Sequence, residues 1–416
     1  MRSGAGLAVT GLGVVCALGE SVEPFAAGLL AGSSAITELP ADSGGPRYGA
    51  PLAGFSLADA VAARTGLPDG IRRTATRVAS RSPRPVQVAL AAALEAWESA
   101  CLHENRIPAH RIALVVAGHN LTSRHSHELA ARFHASPAYV PPRFALQMLD
   151  TDHVGTLSHV LGVTGEGFTV GGASASGNVA IIAGSRLVES GAADACLVVG
   201  ALAELSPVGL RALGNLGAMA WDVASVPFDE SHAGFVAGEG AACLVLESAA
   251  SARHRAVAVH ALLTGYAQRL DANSLANPAE EGEVTVMVNA LQRAGRKPRE
   301  VGYVNAHGTG SPLGDRTEIR ALRRVFGGQG QGPWVNSTKA LVGHCLSAAG
   351  VVEAVATVVQ LRDGFLHPNT GLRRPPSPGC RFVGQHAEQV RAGLALSNGF
   401  GFGGFNTCVA LAAPGA

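Results

Sequence analysis

The sequence predicts an α/β protein built from two related halves, with a mainly parallel sheet and helices on both of its faces. Short apolar, β-branched runs alternate with Ala-rich segments of helical length along the chain. The 416 residues are 47% hydrophobic and 15% charged, which suits a large packed core. The segment "SASGNVAIIAGSRLVESG" is echoed by "CLSAAGVVEAVATVVQLRDG", so we divide the chain into halves at 1–250 and 251–416.

The N-terminal half supplies the first strand and helix candidates. The strands are apolar runs that would be buried on both faces: "LAVTGL" (7–12), "IALVVAG" (112–118), "ACLVVGA" (195–201) and "AACLVLE" (241–247). The helices are the Ala-rich stretches "PVQVALAAALEAWESA" (85–100) and "NVAIIAGSRLVESG" (178–191).

The C-terminal half repeats the alternation. Its elements are, in order, a strand "AVAVHALLTGYA" (256–267), a helix "EVTVMVNALQRAG" (283–295), a strand "VGYVNAHG" (301–308) and a helix "AAGVVEAVATVVQLRDG" (348–364). The glycines of "SNGFGFGGFN" (397–406) predict a hairpin loop, because glycine permits positive φ and close backbone approach.

Charge and cysteine usage narrow the class of protein. The net charge of +1 favours neither nucleic acid nor an anionic membrane as a partner. Seven scattered cysteines form no C-x-x-C pair and sit mostly in apolar runs, which indicates buried reduced thiols in a cytoplasmic protein. The start of the sequence lacks a signal-peptide pattern, and no apolar stretch reaches the ~20 residues of a membrane span.

The stretch "VGGASASGNVAII" (170–182) predicts a strand end, a tight turn and a helix start. Ser174 then lies at the elbow, where the backbone N–H groups of a helix start point at a reacting carbonyl. An enzyme commonly places a nucleophile at such an elbow. The alternative is that Ser174 is only a small residue that eases helix–strand packing.

Two histidines complete the candidate site. His307 follows a strand in "NAHGTGSPLGDRTE", and His344 stands before a small-residue helix in "NSTKALVGHCLSAAG", five residues after Lys339. Either histidine alone is more often structural. Cys345 is expected to face the core, because neighbouring helical residues point about 100° apart. The histidines of 118–134 do not match a zinc signature, so we predict no metal site.

Taken together, the segments resemble the β-ketoacyl-ACP synthases over essentially the whole chain. The matching motifs, in the family's order, are "VTGLGVVCALG", "PFDESHAGFVAGEGAACLVLE", "YVNAHGTGSPLGDRTE", "STKALVGHCLSAAGVVEA" and "NGFGFGGFN". The resemblance implies the thiolase fold, in which two duplicated βαβαβαββ halves form five α/β/α/β/α layers. It also implies an intimate homodimer, in which the strand near Gly167 to Val170 pairs with its two-fold mate.

The resemblance also implies roles for single residues. The family's elbow cysteine falls on Ser174, and its two active-site histidines fall on His307 and His344. Its motif lysine and acidic partner fall on Lys339 and Glu353.

The same resemblance assigns the surroundings of the site. The amides of Ser174 and Phe402 would form an oxyanion hole, and Thr309 and Ser311 would contact the pantetheine arm. Phe405 stands where a threonine is common. An acidic acyl carrier protein would dock on arginines of "GIRRTATRVASRSPR", namely Arg72, Arg73 and Arg77.

The serine at the elbow shapes the expected activity. Cysteine is partly thiolate at neutral pH and forms a reactive thioester, whereas a serine hydroxyl is not ionised and its ester is a poorer electrophile. Decarboxylation needs only donors to the developing enolate oxygen, and both histidines remain. The sequence thus resembles the cysteine-to-serine malonyl-ACP decarboxylases of polyketide β-branching cassettes, which make acetyl-ACP for an HMG synthase-like enzyme. We expect no cofactor other than the phosphopantetheine of the carrier protein.

Two alternatives remain open from the sequence. Ser174 could act as a true nucleophile in an acyltransferase or hydrolase, with His307 or His344 as its base. The chain could instead be a non-catalytic chain-length partner of a ketosynthase, although such partners usually lose the histidines.

Overall fold

Helices and strands alternate through most of the chain, as the sequence predicts. The computed structural model describes residues 6–40, 44–104, 106–328, 330–376 and 379–415. The helices are α1 Val22–Ala31, α2 Leu57–Ala62, α3 Asp69–Ala79, α4 Arg84–Ser99, α5 Ser123–Ala135, α6 Phe144–Gln147, α7 Thr151–Leu161, α8 Ser176–Glu189, α9 Pro207–Asn215, α10 Ala249–Arg255, α11 Glu280–Ala294, α12 Pro312–Phe326, α13 Lys339–Val342 and α14 Ala349–Asp363.

The strands form one large and one small sheet. They are β1 Leu7–Cys16, β2 Thr37–Glu38, β3 Tyr48–Ala50, β4 Ile112–Ala117, β5 Gly167–Val170, β6 Ala195–Gly200, β7 Ala237–Gly238, β8 Gly240–Glu247, β9 Ala261–Leu270, β10 Tyr303–Asn305, β11 Trp334–Asn336, β12 Arg381–Phe382, β13 Leu394–Gly401 and β14 Phe405–Ala412. The large sheet has the order β12-β11-β10-β13-β14-β9-β1-β8-β6-β4-β5, and β2, β3 and β7 form the small sheet.

The expectation of a mainly parallel sheet is wrong. Within the described residues, strands near both ends of the large sheet pair in parallel, as in β4–β5, β4–β6, β10–β11, β10–β13 and β11–β12. The middle strands are antiparallel, as in β6–β8, β8–β1, β1–β9, β9–β14 and β14–β13. Strand–helix alternation constrains only strands joined by a crossover helix, and β13–β14 is a hairpin, so the alternation could not reveal the pairing of the middle strands.

The layers follow from the two faces of the sheet. Alternate residues of β4, β6 and β8 enter two different cores, as the period of two requires. One face packs on α4 and α7, and the other packs on α8 and α14. The strands β9, β13 and β14 bury their opposite face under α11. The molecule is therefore five-layered, α/β/α/β/α, with α8 and α14 as the central layer.

Glycines permit two close approaches in this packing. A Cβ on Gly13 of β1 would lie 2.0 Å from the carbonyl oxygen of Ala92 in α4. In the central layer, a Cβ on Gly177 would lie 2.7 Å from the Cα of Gly350. The backbones of α8 and α14 thus touch at their first turns, and any side chain at either glycine would separate them.

Two predicted strands are shorter than expected. The strand predicted over 301–308 ends at Asn305, because the carboxylate of Glu318 captures the amides of His307 and Gly308, each at 2.8 Å. The strand predicted over 256–267 starts only at Ala261. Ala256 adopts φ 55 as the left-handed cap of α10, which turns the chain away from the sheet.

Cysteine burial agrees with the interpretation of the sequence. All seven cysteines are free thiols, and five of them are buried. In the portion of the chain with described coordinates, no helix is both long enough and apolar enough to cross a bilayer.

Candidate active site

The elbow is a strained turn between β5 and α8. After Gly171 and Gly172 the chain forms a 3₁₀ turn, Ala173–Ala175, in which Ala173 adopts φ 50. A non-glycine residue at positive φ is uncommon and marks a constrained position. The hydroxyl of Ser176 holds the turn by accepting from Gly172 N at 2.9 Å and donating to Ala173 O at 2.6 Å. Ser174 is thereby fixed directly before the helix.

A second turn of the same form lies beside the elbow. The 3₁₀ turn Leu346–Ala348 precedes α14, and Leu346 adopts φ 51 at the position equivalent to Ala173. The internal echo in the sequence therefore extends to backbone strain. Because the first turns of α8 and α14 touch at Gly177 and Gly350, the two turns are neighbours. This packing carries His344, two residues before Leu346, to the elbow.

His344 donates a hydrogen bond to the elbow serine. Its Nε2 lies 2.8 Å from Ser174 Oγ, and its Nδ1 accepts from the amide of Leu346 at 3.2 Å. An Nδ1 that accepts must be unprotonated, so in the neutral ring Nε2 carries the hydrogen. The ring of Phe235 packs edge-on at 5.1 Å. The hydroxyl of Ser174 accordingly receives a hydrogen bond from His344 and has no base in this ring.

His307 is held by groups on both sides of its backbone. Glu318 accepts from its amide at 2.8 Å, and the ammonium of Lys339 donates to its carbonyl at 2.6 Å. The same Nζ lies 3.4 Å from Nδ1 of the His307 ring. An ammonium can only donate, so Nδ1 is again the acceptor and Nε2 carries the hydrogen. The rings of His307 and His344 stand 5.8 Å apart and nearly perpendicular.

Burial and charge keep both imidazoles neutral. Desolvation is the main cause that lowers the pKa of His307 and of His344 well below the usual value, and the charge of Lys339 adds to it. Lys339 itself forms a buried ion pair with Glu353. Burial raises the pKa of Glu353 to about 7 in spite of that partner. The structure therefore holds two neutral Nε2–H donors near Ser174.

These groups line a cavity of about 210 Å³. Of the residues assigned from the sequence, the cavity wall contains Ser174, His307, His344, Thr309, Ser311 and Phe402. Lys339 and Glu353 lie behind the wall, where they hold His307.

The glycine-rich hairpin forms the next part of the wall. A Cβ on Gly401 would lie 2.3 Å from Gly172 O and 3.2 Å from Ser174 N, so β13 ends against the elbow. Phe402 follows in the turn and is 41% exposed. The ring of Phe405 packs on the backbone of Gly172, where the smaller threonine would leave space.

The remaining assigned residues lie elsewhere. Arg72, Arg73 and Arg77 are on α3 and do not line the cavity; Arg72 and Arg73 each contact Asp69 in the first turn of the helix. Cys345 is buried in the core between sheet and central helices, as expected, and burial raises the pKa of its thiol well above the usual value.

Two acidic residues of "GDRTE" support the candidate site and are not among those assigned from the sequence. Glu318 accepts from two amides and from Asn398 Nδ2 at 3.0 Å. Asp315 accepts from the amides of Thr309 and Gly310, each at 3.1 Å, and thereby orders the loop after His307. Two acids on one face of a helix that starts just after "HGTG" were the available signal.

Among the residues with described positions, no cluster of three or more His, Cys, Asp or Glu side chains is arranged to hold a metal ion. The histidines of 118–134 fall mainly on α5 and do not converge.

Comparisons with known proteins agree on one family. The sequence model of the β-ketoacyl synthase N-terminal domain matches residues 5–252, and that of the C-terminal domain matches residues 260–373. The polyketide biosynthesis malonyl-ACP decarboxylase PksF of Bacillus subtilis (strain 168) is 36% identical over 97% of this chain and 95% of its own length.

Two further proteins show the breadth of the likeness. The 3-oxoacyl-[acyl-carrier-protein] synthase 2 of Coxiella burnetii is 32% identical and covers 97% of each chain. The solved ishigamide ketosynthase/chain length factor superimposes with a TM-score of 0.88 at 27% identity, over 98% of this chain and 99% of that chain.

Proposed function

Because this chain belongs to the β-ketoacyl synthase family, we propose that it is a ketosynthase-like enzyme that decarboxylates malonyl-ACP to acetyl-ACP and does not condense. The likeness to PksF, which is named as a malonyl-ACP decarboxylase of polyketide biosynthesis, supports this assignment. The site geometry supplies an independent reason for it.

The hydrogen-bond direction at Ser174 carries the proposal. The Nε2–H of His344 donates to the hydroxyl of Ser174, and its Nδ1 accepts from the amide of Leu346. His307 likewise meets the Lys339 ammonium with its acceptor nitrogen. Neither ring can take the proton of Ser174 in this arrangement, so the serine is not activated as a nucleophile. Both rings can donate.

Two donors are what decarboxylation requires. When the bond between C2 and the carboxylate carbon of malonyl-ACP breaks, CO₂ leaves and negative charge develops on the thioester oxygen as an enolate. We assign the Nε2–H groups of His307 and His344 to this oxygen. One preorganised donor of this kind typically stabilises the transition state by about 3 kcal/mol. Neutral rings suit this task, because each keeps its proton and donates it only as a hydrogen bond.

The rest of the proposed site binds the carrier's arm. The cavity wall contains both Ser174 and the exposed Phe402. Thr309 and Ser311 in the same wall offer hydroxyls to the amides of a pantetheine. We assign the amides of Ser174 and Phe402 to the oxyanion hole that the family resemblance implies at the elbow. Lys339 and Glu353 act as positioning residues for His307. The proposed chemistry uses no cofactor beyond the phosphopantetheine of an acyl carrier protein.

The proposed product defines a place in a reaction sequence. Acetyl-ACP would be consumed by an HMG synthase-like enzyme that adds an acetyl unit to a β-ketone. We place the enzyme in the cytoplasm, where carrier-protein substrates and reduced thiols coexist.

The proposal is tested by alanine variants turned over with malonyl-ACP, with CO₂ and acetyl-ACP both measured by mass. Ser174→Ala should retain most of the activity, because the serine side chain forms no covalent bond to the substrate and alanine keeps the backbone amide. His307→Ala and His344→Ala should each lose about 100-fold or more in kcat.

The alternatives give opposite results. An acyltransferase would lose all turnover in Ser174→Ala and would show an acyl ester on Ser174 in the wild type. A chain-length partner would release no CO₂ from malonyl-ACP in any variant. Either result would refute the decarboxylase assignment.

A further inference from the structure

A carboxyl group that the mechanism above does not use lies in the wall of the catalytic cavity. Glu283 is in the first turn of α11, is 1% exposed, and lines the same cavity as Ser174, His307 and His344. Within the described part of the chain, its Oε2 has no hydrogen-bond partner. A buried carboxylate without a partner is very costly, so the site favours the neutral acid.

The charges around Glu283 also favour its neutral form. Glu318, Asp271 and Glu280 are its acidic neighbours, and Arg320 is its basic neighbour. Arg320 is already paired with Glu280 at 2.9 Å. Burial first, and then the two nearest carboxylates, raise the pKa of Glu283 well above its usual value. The helix N-terminus acts in the opposite direction, because it favours a carboxylate.

Glu318, the buried acid beside Glu283, is better stabilised as a carboxylate. Its oxygens accept from two backbone amides and from Asn398 Nδ2, and N–H donors stabilise the ionised form of a carboxyl group. Glu283 has no such donor on Oε2. Burial raises the pKa of Glu318 as well, but its three N–H donors oppose that rise. Between Glu283 and Glu318, Glu283 is therefore the better proton donor.

The proposed reaction needs a proton at this stage. Loss of CO₂ leaves an enolate, and C2 must gain a proton before acetyl-ACP exists. In a condensing synthase C2 would instead attack an acyl group on the elbow nucleophile. Ser174 is not activated to carry one, so C2 must be protonated in the cavity. His307 and His344 donate their only ring N–H groups to the enolate oxygen, so they cannot also protonate C2.

We propose that Glu283 donates the proton that converts the enolate to acetyl-ACP, a role that rests on the decarboxylase function proposed above. The enolate electron pair forms the new C2–H bond as the thioester carbonyl is restored. Glu283 becomes a carboxylate and regains a proton from water entering the cavity. One solvent proton is consumed for each malonyl group, which balances the loss of CO₂.

The test separates bond cleavage from protonation with Glu283→Gln, by rapid quench into acidic D₂O and mass measurement of both products. Acetyl-ACP protonated on the enzyme carries no deuterium, whereas enolate still present at the quench gains one. This variant keeps the shape of the side chain but has no acidic proton. The first-turnover release of CO₂ should stay near the wild-type rate, while acetyl-ACP formation should slow about 100-fold, the usual size of a general-acid effect. One equivalent of CO₂ should therefore appear as a burst. Glu283→Asp, which keeps an acid, should recover part of the acetyl-ACP rate.

Glu281→Gln is the matched control, because Glu281 is an exposed residue of the same helix turn that pairs with Arg324. It should leave both rates unchanged. A measurement on the wild type needs no variant: acetyl-ACP formation should fall as pH rises through the pKa of Glu283, while first-turnover CO₂ release should not.

Two results would overturn the proposal. If CO₂ release and acetyl-ACP formation slow equally in Glu283→Gln, Glu283 only shapes the cavity. If acetyl-ACP formation is unchanged, another acid protonates C2. Absence of CO₂ release by the wild type would instead refute the decarboxylase function itself, so the two failures are distinguishable.

Discussion

At the scale of single residues, the direction of a hydrogen bond decides the chemistry. Ser174 and His344 at 2.8 Å resemble a nucleophile and its base. The amide of Leu346 on the opposite nitrogen fixes the proton on Nε2 and reverses that interpretation. A lysine does the same for His307. The amide of Leu346 and the buried charge of Lys339 therefore determine that Nε2 of each histidine is a hydrogen-bond donor.

A third buried histidine predicts a pH-dependent stability. His153 on α7 is fully buried, neither of its ring nitrogens has a partner in the described structure, and burial lowers its pKa to about 4. In the unfolded chain a histidine has a pKa near 6.5, so between about pH 6.5 and 4 only the unfolded state binds the proton. The free energy of unfolding should fall by roughly 2 kcal/mol from pH 7 to pH 5 through this residue alone.

Denaturant titrations at pH 7 and pH 5 measure the effect. His153→Leu should remove this part of the pH dependence, because leucine does not titrate. His159→Leu on the exposed face of the same helix is the control and should keep it. An unchanged pH dependence in His153→Leu would mean that the ring is hydrated in solution.

At the scale of elements, two turn–helix units create the site. The turns before α8 and α14 share positive φ at Ala173 and Leu346, and the helices touch at Gly177 and Gly350. One turn brings the serine and the other brings His344. We retain residue 250 as the proposed boundary between the two halves that contribute them.

Helix α3 is the element that we propose as the docking site of the carrier protein. Arg73 and Arg77 are exposed, and Arg72 pairs with Asp69, which supports the helix start. Arg73→Glu combined with Arg77→Glu should raise KM for malonyl-ACP about tenfold or more and weaken its salt dependence, with kcat little changed, because the carrier is acidic.

Arg299→Glu, an exposed site in the other half, controls for the change of charge. It should leave KM within twofold. If the α3 variant has a wild-type KM, the carrier docks elsewhere.

At the scale of the whole molecule, β5 is an open edge of the large sheet. Leu114 N donates to Glu166 O, and Gly118 N donates to Val170 O, so the alternating residues Gly167 and Thr169 direct their backbone groups outward. Phe168 is 36% exposed beside this edge. An open edge beside an exposed aromatic ring favours pairing with a second copy of the chain.

We therefore expect a homodimer at micromolar concentration, measured by light scattering. Thr169→Pro removes an outward N–H without removing a bond to β4 and should shift the mass to that of a monomer. Thr169→Ser keeps the N–H and should remain dimeric. A monomeric wild type, or a dimeric proline variant, would contradict pairing through β5.

The sequence by itself determined the features that depend on local pattern. Apolar runs fixed most of the strands and helices, and the glycines around Ser174 predicted the elbow. The motifs around His307, His344 and Lys339, through their resemblance to those of the β-ketoacyl-ACP synthases, indicated the main residues of the proposed site. The predicted ends of strands were wrong where a residue distant in sequence binds the backbone. The amide of His307, for example, donates to Glu318 instead of extending the strand.

Only the tertiary structure decided what depends on contacts between distant segments. Ser174 and His344 are 170 residues apart in sequence, so no local pattern could give their distance or the direction of the hydrogen. The antiparallel middle of the sheet depends on which strands meet, and strand–helix alternation does not encode that. Glu283 shares the first turn of its helix with Glu280 and Glu281, and this local pattern does not mark it as buried. Its burial beside the cavity, and hence the neutral acid that we propose, arises only because α11 packs against β9, β13 and β14.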